Sequence, residues 1–259
     1  MFGGLFGKAS FLDPDVEDWH LETWALLLAG LGPVTDAVMV TPTREHFPPT
    51  DATGHEKVEH VFAAVKAAMG MSEWACRLEP QEHRPAMARL GELAVLETQG
   101  APLGTFRIEG GEAVITYAPE LADDPWRLTA TLSHELSHYL LEAIAEDLDE
   151  ETYELATDLT VAYAGLGLFG ANTAFSFSQH GDTFSQGWQW SRAGYLSPNS
   201  WAFALAIFTA LSESDADVER WLKPEMANLY RQASKYLARH PKLLDDLRRI
   251  GPAEPTAAS

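Results

Sequence analysis

The sequence predicts an α+β fold, with a small sheet near the N-terminus and a mostly helical remainder. Apolar residues recur at helical spacing over 55–71 and 123–145, and short β-branched runs between turn residues occupy 93–120. Beyond residue 121, helical patterns follow one another with one long interruption. We divide the chain into an N-terminal α/β part with the sheet, a central part with helices and an irregular loop, C-terminal helices, and a disordered tail: 1–120, 121–196, 197–250 and 251–259.

The N-terminal part begins with a helix over 13–31, because Pro14 follows Asp13 as a first helical residue and acids crowd the first turn. The run "DAVMVTPT" at 36–43 is β-branched and apolar, which predicts a buried strand. A second helix covers 55–71, where Gly70 ends the apolar repeat. "WACRLEP" at 74–80 predicts a short strand.

Two further strands, 104–108 and 113–119, flank the turn sequence "EGGE". A helix follows in which Asp124 is the cap and Pro125 the first residue. The other predicted helices cover 149–170, 197–213, 223–241 and 241–250, and 171–194 has no clear period and predicts an irregular segment.

The composition excludes several classes of function. The chain has 18 basic and 38 acidic residues, a net charge of −20, so phosphate backbones and anionic membrane surfaces would be repelled. Its single cysteine, Cys76, excludes an internal disulfide and a cysteine-rich zinc site. The N-terminus lacks the order of a secretory signal, and no apolar run is long enough to span a bilayer. We therefore expect a cytoplasmic protein that binds neither nucleic acid nor membranes.

The segment "TLSHELSHYL" at 131–140 carries the chemistry. Residues four apart on an α-helix differ by about 40° around the axis, so His134 and His138 present their rings on one face and can reach one ion. Glu135 is offset by about 100°, where a general base for a metal-bound water would lie. The opposite, buried face has a stripe of leucines: Leu128, Leu132, Leu136 and Leu140.

A catalytic zinc usually has three protein ligands and an open position, and the next helix offers the third. In "YELATDL", Glu154 and Asp158 are four apart and share a face. Glu154 lies 16 residues after His138 (154 − 138), which lets the chain turn and return antiparallel. We expect Glu154 to bind the metal and Asp158 to accept the free N–H of a ligating imidazole. Asp158 is the substitute ligand if Glu154 is not one.

"HELSH" followed by "ELATD" resembles the gluzincin metallopeptidases, of which thermolysin is a member, and the strand before the helix is similar to the ImmA/IrrE type. The resemblance covers about residues 112–165. It implies a zincin-like fold and a zinc peptidase that cleaves peptide or protein substrates. His134, His138 and Glu154 would bind zinc, Glu135 would be the general base, and Asp158 would support a histidine.

Zincins often carry a further histidine or tyrosine that stabilises the oxyanion, and the candidates here are His180 and Tyr195, with Tyr163 a weaker one. Three other hypotheses stay open. The protein would be a metal-dependent hydrolase of a non-peptide amide, a zinc-binding interaction protein without catalysis, or a helical scaffold without metal. No pattern in the sequence specifies the oligomeric state.

Overall fold

The computed structural model describes residues 10–81, 103–144, 148, 150–178, 196–212 and 216–251. It has the predicted α+β class, with mostly helices and a small mixed sheet. The strands are β1 (Cys76–Pro80), β2 (Gly104–Glu109) and β3 (Glu112–Tyr117). The helices are α1 (Pro14–Leu31), α2 (Gly54–Ala68), α3 (Pro125–Glu142), α4 (Glu150–Tyr163), α5 (Gly167–Ser178), α6 (Pro198–Leu211), α7 (Val218–Trp221), α8 (Pro224–Arg239) and α9 (Pro241–Arg248).

The chain forms two compact units. We call Thr43–Leu140 the sheet unit, since it holds the strands, α2 and nearly all of α3. Met1–Pro42 together with Leu141–Ser259 form the helical unit. Among the described residues, no helix combines the length and the apolar composition that crossing a membrane requires.

The sheet of the sheet unit has the strand order β1-β3-β2. β3 is the central strand and is buried, with β1 parallel to it and β2 antiparallel. Gly110 and Gly111, between β2 and β3, have φ of +61° and +86°. Positive φ at both central residues is typical of the two-residue turns that match strand twist, so the "EGGE" turn is confirmed.

Helix α3 begins as predicted, because the Asp124 carboxylate accepts a hydrogen bond from the Arg127 N–H at 3.1 Å and Pro125 is the first helical residue. The leucine stripe lies in the core, with Leu128, Leu132 and Leu136 fully buried. Burial of this face determines which face of α3 carries the histidines.

The core of the helical unit is α6, where apolar residues are buried on every side of the helix. Ser197 caps α6 by accepting the Ser200 N–H at 3.2 Å. The helices α4, α5 and α8 pack around it. A helix that is apolar all round is buried, which explains the "WAFALAIF" run.

The predicted strand at 36–43 is wrong, because this segment is not in a strand and pairs with none of the described strands. Met39 and Val40 are buried whereas Val38 is 64% exposed, and the Val40 N–H donates to the Gly165 carbonyl at 2.9 Å. The apolar residues cover helices without joining the sheet. The β-branched, apolar residues of 36–43 therefore reflect burial of this segment and not its pairing in a sheet.

The predicted single helix over 149–170 is also wrong at its end. α4 ends at Tyr163, Gly165 has a φ of +80°, and α5 continues to Ser178, so 171–178 is helical and not irregular. A glycine in the left-handed region ends a helix, and the next helix starts two residues later. The rest of the predicted irregular segment, the tail at 252–259 and residues 93–102 lie outside the described residues.

Candidate metal centre

The two histidines of "HELSH" lie side by side on α3. The ring centroids of His134 and His138 are 4.8 Å apart, and the ring planes are nearly perpendicular at 87°. His138 is only 9% exposed and His134 is half-buried. The pair is thus held at the surface of the sheet unit, with the His138 ring largely withdrawn from water.

Glu135 lies next to His134 in sequence and is 6% exposed. Its side chain passes close to Gly104, the first residue of β2. The carboxylate is therefore confined by protein and not free in solvent. A carboxylate confined in this way would suit a general base if a metal bound at the neighbouring histidines.

Glu154 and Asp158 lie one turn apart on α4. Glu154 is half-buried, and Asp158 is 5% exposed. The Asp158 Oδ2 accepts the N–H of Leu196 at 2.9 Å, so this carboxylate holds the chain two residues before α6 begins. Its predicted bond to a ligating imidazole stays a prediction.

Among the described residues, one group of three side chains has the donors and the spacing for a metal ion: His134, His138 and Glu154. Their potential ligand atoms all lie within 4.8 Å of one another. Ligand atoms around a tetrahedral zinc at about 2.1 Å are separated by about 3.4 Å, which is shorter than the 4.8 Å limit that these atoms satisfy here. Two imidazoles and one carboxylate fit a catalytic zinc, which keeps a fourth position open.

The oxyanion candidates His180 and Tyr195 lie outside the described residues. Tyr163 is described, and its hydroxyl donates to the Gly32 carbonyl at 2.7 Å. Burial raises the pKa of Tyr163 to about 12. Its ring also lies 5.9 Å from that of Trp24, so Tyr163 ties the end of α4 to α1.

Sequence reasoning missed the aromatic side chains beside His138. The Phe106 ring of β2 stacks on His138 with centroids 6.1 Å apart, and on Tyr139 at 5.7 Å. Trp74 meets Tyr139 edge-on at 4.8 Å. The alternation of Gly104 and Phe106 along β2 was the available signal, because residues two apart share one face of a strand. Only the packing showed that this face lies on α3.

Another histidine of the sheet unit has a protein partner. The His55 Nδ1 lies 2.9 Å from the Tyr117 hydroxyl, and the two rings are parallel. The His55 Nε2 lies 3.6 Å from a carboxylate oxygen of Glu59. Burial, followed by the charge of Glu59, raises the pKa of Tyr117. These contacts indicate a polar link between α2 and β3.

Comparisons of the chain with protein-family models, with curated proteins and with solved structures found no significant match.

Proposed function

We propose that the protein is a zinc-dependent metallopeptidase with a zincin-like fold, acting on a cytoplasmic peptide or protein substrate. His134, His138 and Glu154 would hold the zinc, and Glu135 would be the general base. The observation that carries the proposal is the group of three potential ligands, whose donor atoms lie within 4.8 Å of one another. The helical spacing of His134, Glu135 and His138 supports the same assignment.

The donor set supports zinc in particular. Imidazole and carboxylate are ligands that zinc accepts in catalytic sites, and three protein ligands leave one position for water or substrate. The single cysteine, Cys76, belongs to β1 and is not one of the three residues. Manganese, iron or cobalt would accept the same ligands, so the identity of the ion is part of the proposal.

When bound, the zinc would supply Lewis acidity that polarises the peptide carbonyl and lowers the pKa of a water molecule. Glu135 would take a proton from that water as it attacks the carbonyl carbon. The same carboxyl group would then give the proton to the leaving amine as the C–N bond breaks. Asp158 would orient a ligating histidine, and His180 or Tyr195 would stabilise the developing oxyanion.

The first test is metal analysis of the purified full-length protein. We expect about one equivalent of zinc, which is lost in a double variant, His134→Ala with His138→Ala. The matched control is His60→Ala, because His60 lies on α2 and is bonded to the Pro48 carbonyl. Zinc that persists in the double variant would contradict the proposed site. Wild-type protein without zinc would favour a helical scaffold without metal.

The second test is hydrolysis of a mixed peptide library, followed by mass spectrometry. Glu135→Gln should keep zinc and lose cleavage, whereas Glu142→Gln, an exposed acid on the same helix, should keep both. Zinc binding without cleavage by the wild type would favour a zinc-binding interaction protein. Cleavage of model amides but not of peptides would favour a hydrolase of non-peptide amides.

A further inference from the structure

Gly104 comes unusually close to the side chain of Glu135. It is the buried first residue of β2 and pairs with Tyr117 of β3. A Cβ placed on Gly104 would lie 2.7 Å from the Glu135 Oε1 and 2.8 Å from the Glu135 Cγ. It would also lie 2.7 Å from the Thr131 Cγ2. Real Cβ atoms do not approach other atoms this closely, so a side chain at this position must displace its neighbours.

The backbone of Gly104 does not itself require glycine. Gly104 is not among the glycines with positive φ, unlike Gly110 and Gly111 of the following turn. Glycine inside a strand weakens the strand, and it often marks a place where another group approaches the backbone closely. The steric demand at Gly104 therefore comes from Glu135 and Thr131 of α3.

We propose that Gly104 is a positioning residue, which leaves the space in which Glu135 holds its carboxylate for catalysis. The inference rests on the proposed function, because it assigns a supporting residue to the proposed general base. Two of the three close approaches are to Glu135, and one of them is to a carboxylate oxygen. Neither His134 nor His138 is among the atoms that a Cβ at position 104 would meet first.

In Gly104→Ala, we expect zinc binding to be kept while the catalytic rate falls. The new methyl group would force the Glu135 side chain to rotate, while the metal-binding histidines keep their places on α3. A displacement of about 1 Å at a reacting group can cost about 100-fold in rate. We therefore expect unchanged zinc content, a KM close to that of the wild type, and a kcat lower by about 100-fold.

The matched control is Gly167→Ala in the helical unit. Its new Cβ would lie 2.8 Å from the Leu205 Cδ2, so the crowding is comparable to that at Gly104. The atoms nearest to this Cβ belong to Leu205 and Ala162, neither of which has a proposed catalytic role. This variant should keep the wild-type kcat. A kcat of Gly104→Ala that equals the wild-type value, in a protein that Glu135→Gln inactivates, would overturn the inference alone. Wild-type protein without hydrolysis would overturn the proposed function instead.

A stability cycle tests the close approach even if Gly104→Ala folds poorly. In the Glu135→Ala background, two of the three nearest contacts of the new Cβ are removed. The drop in Tm caused by Gly104→Ala should then be clearly smaller than in the wild-type background. Equal drops in Tm in the two backgrounds would show that positions 104 and 135 are uncoupled and would overturn the inference.

Discussion

The ring of Phe106 stacks, laterally offset, on that of His138, with ring centroids 6.1 Å apart and ring planes 13° from parallel. The two residues belong to β2 and α3, so the sheet supplies a flat wall against one of the proposed ligands. Packing of the Phe106 ring limits the rotation of the His138 imidazole and does not involve the ring nitrogens. The strand therefore contributes to the proposed metal site through shape.

Removing the Phe106 ring should weaken metal binding. In Phe106→Ala the His138 ring gains rotational freedom, and the proposed site loses part of its preorganisation. Groups that orient metal ligands typically contribute 10- to 100-fold in affinity, and we expect a loss of about 10-fold for this packing contact. Competition with a chromophoric chelator measures the zinc affinity.

The control for this substitution is Ile108→Ala, two residues along the same strand, where the side chain is 54% exposed. Ile108→Ala should keep the wild-type zinc affinity. If Phe106→Ala and Ile108→Ala bind zinc equally well, the stacking on His138 does not orient the ligand.

Asp158→Ala should destabilise the helical unit apart from any effect on metal. The variant leaves the N–H of Leu196 without the Asp158 carboxylate that accepts it at 2.9 Å, and Asp158 is 5% exposed. A buried donor left unpaired costs about 1–3 kcal/mol of unfolding free energy. Urea unfolding of the metal-free protein measures this cost without the contribution of zinc. Asp158→Asn keeps an acceptor oxygen and should lose less; equal losses would contradict the role of this bond.

His20 should make the protein less stable in acid. The ring is fully buried between Trp19 and Phe203, and burial lowers its pKa from 6.5 to about 3. Between these values the unfolded chain binds a proton that the folded chain does not, so stability falls as the pH drops below 6.5. Each pKa unit corresponds to about 1.4 kcal/mol, which makes the loss about 3 kcal/mol at about pH 4.5.

His20→Leu removes this titrating group and so measures how much His20 contributes to the loss of stability in acid. Within the described part of the chain, neither ring nitrogen of His20 has a hydrogen-bond partner, so an apolar side chain of similar size should not lower stability at pH 7. Denaturant unfolding at several pH values should show a smaller acid loss in His20→Leu than in the wild type. Parallel pH dependences in the two proteins would show that His20 is protonated in the folded state.

Gly165 should tolerate alanine poorly for two reasons. Its φ is +80°, and a Cβ would lie 2.5 Å from the Val38 carbonyl oxygen. Gly70 has a comparable φ of +69° but no atom within 4 Å of the added Cβ. Gly70→Ala should cost about 1–2 kcal/mol from the left-handed backbone alone, and Gly165→Ala should cost more. Thermal unfolding compares the two, and equal costs would show that the Val38 segment moves aside freely.

The elements that the sequence predicted correctly are marked by residues that lie close together in the chain, such as helix caps and turn glycines. The start of α3 needs only Asp124 and Pro125, and the β2–β3 turn needs only Gly110 and Gly111. The errors came where a local pattern had two physical meanings. The apolar run at 36–43 is buried against helices, and the glycines after α4 separate two helices where the sequence predicted one.

The sequence by itself determined the α+β class and the common helix face of His134 and His138, since helical periodicity and end signals act over one or two turns. Only the tertiary structure decided that β1 pairs with β3, that Phe106 faces His138, and that Gly104 leaves room for Glu135. These relationships join residues about 30 or more positions apart. Their energy comes from packing between elements, which no local pattern encodes.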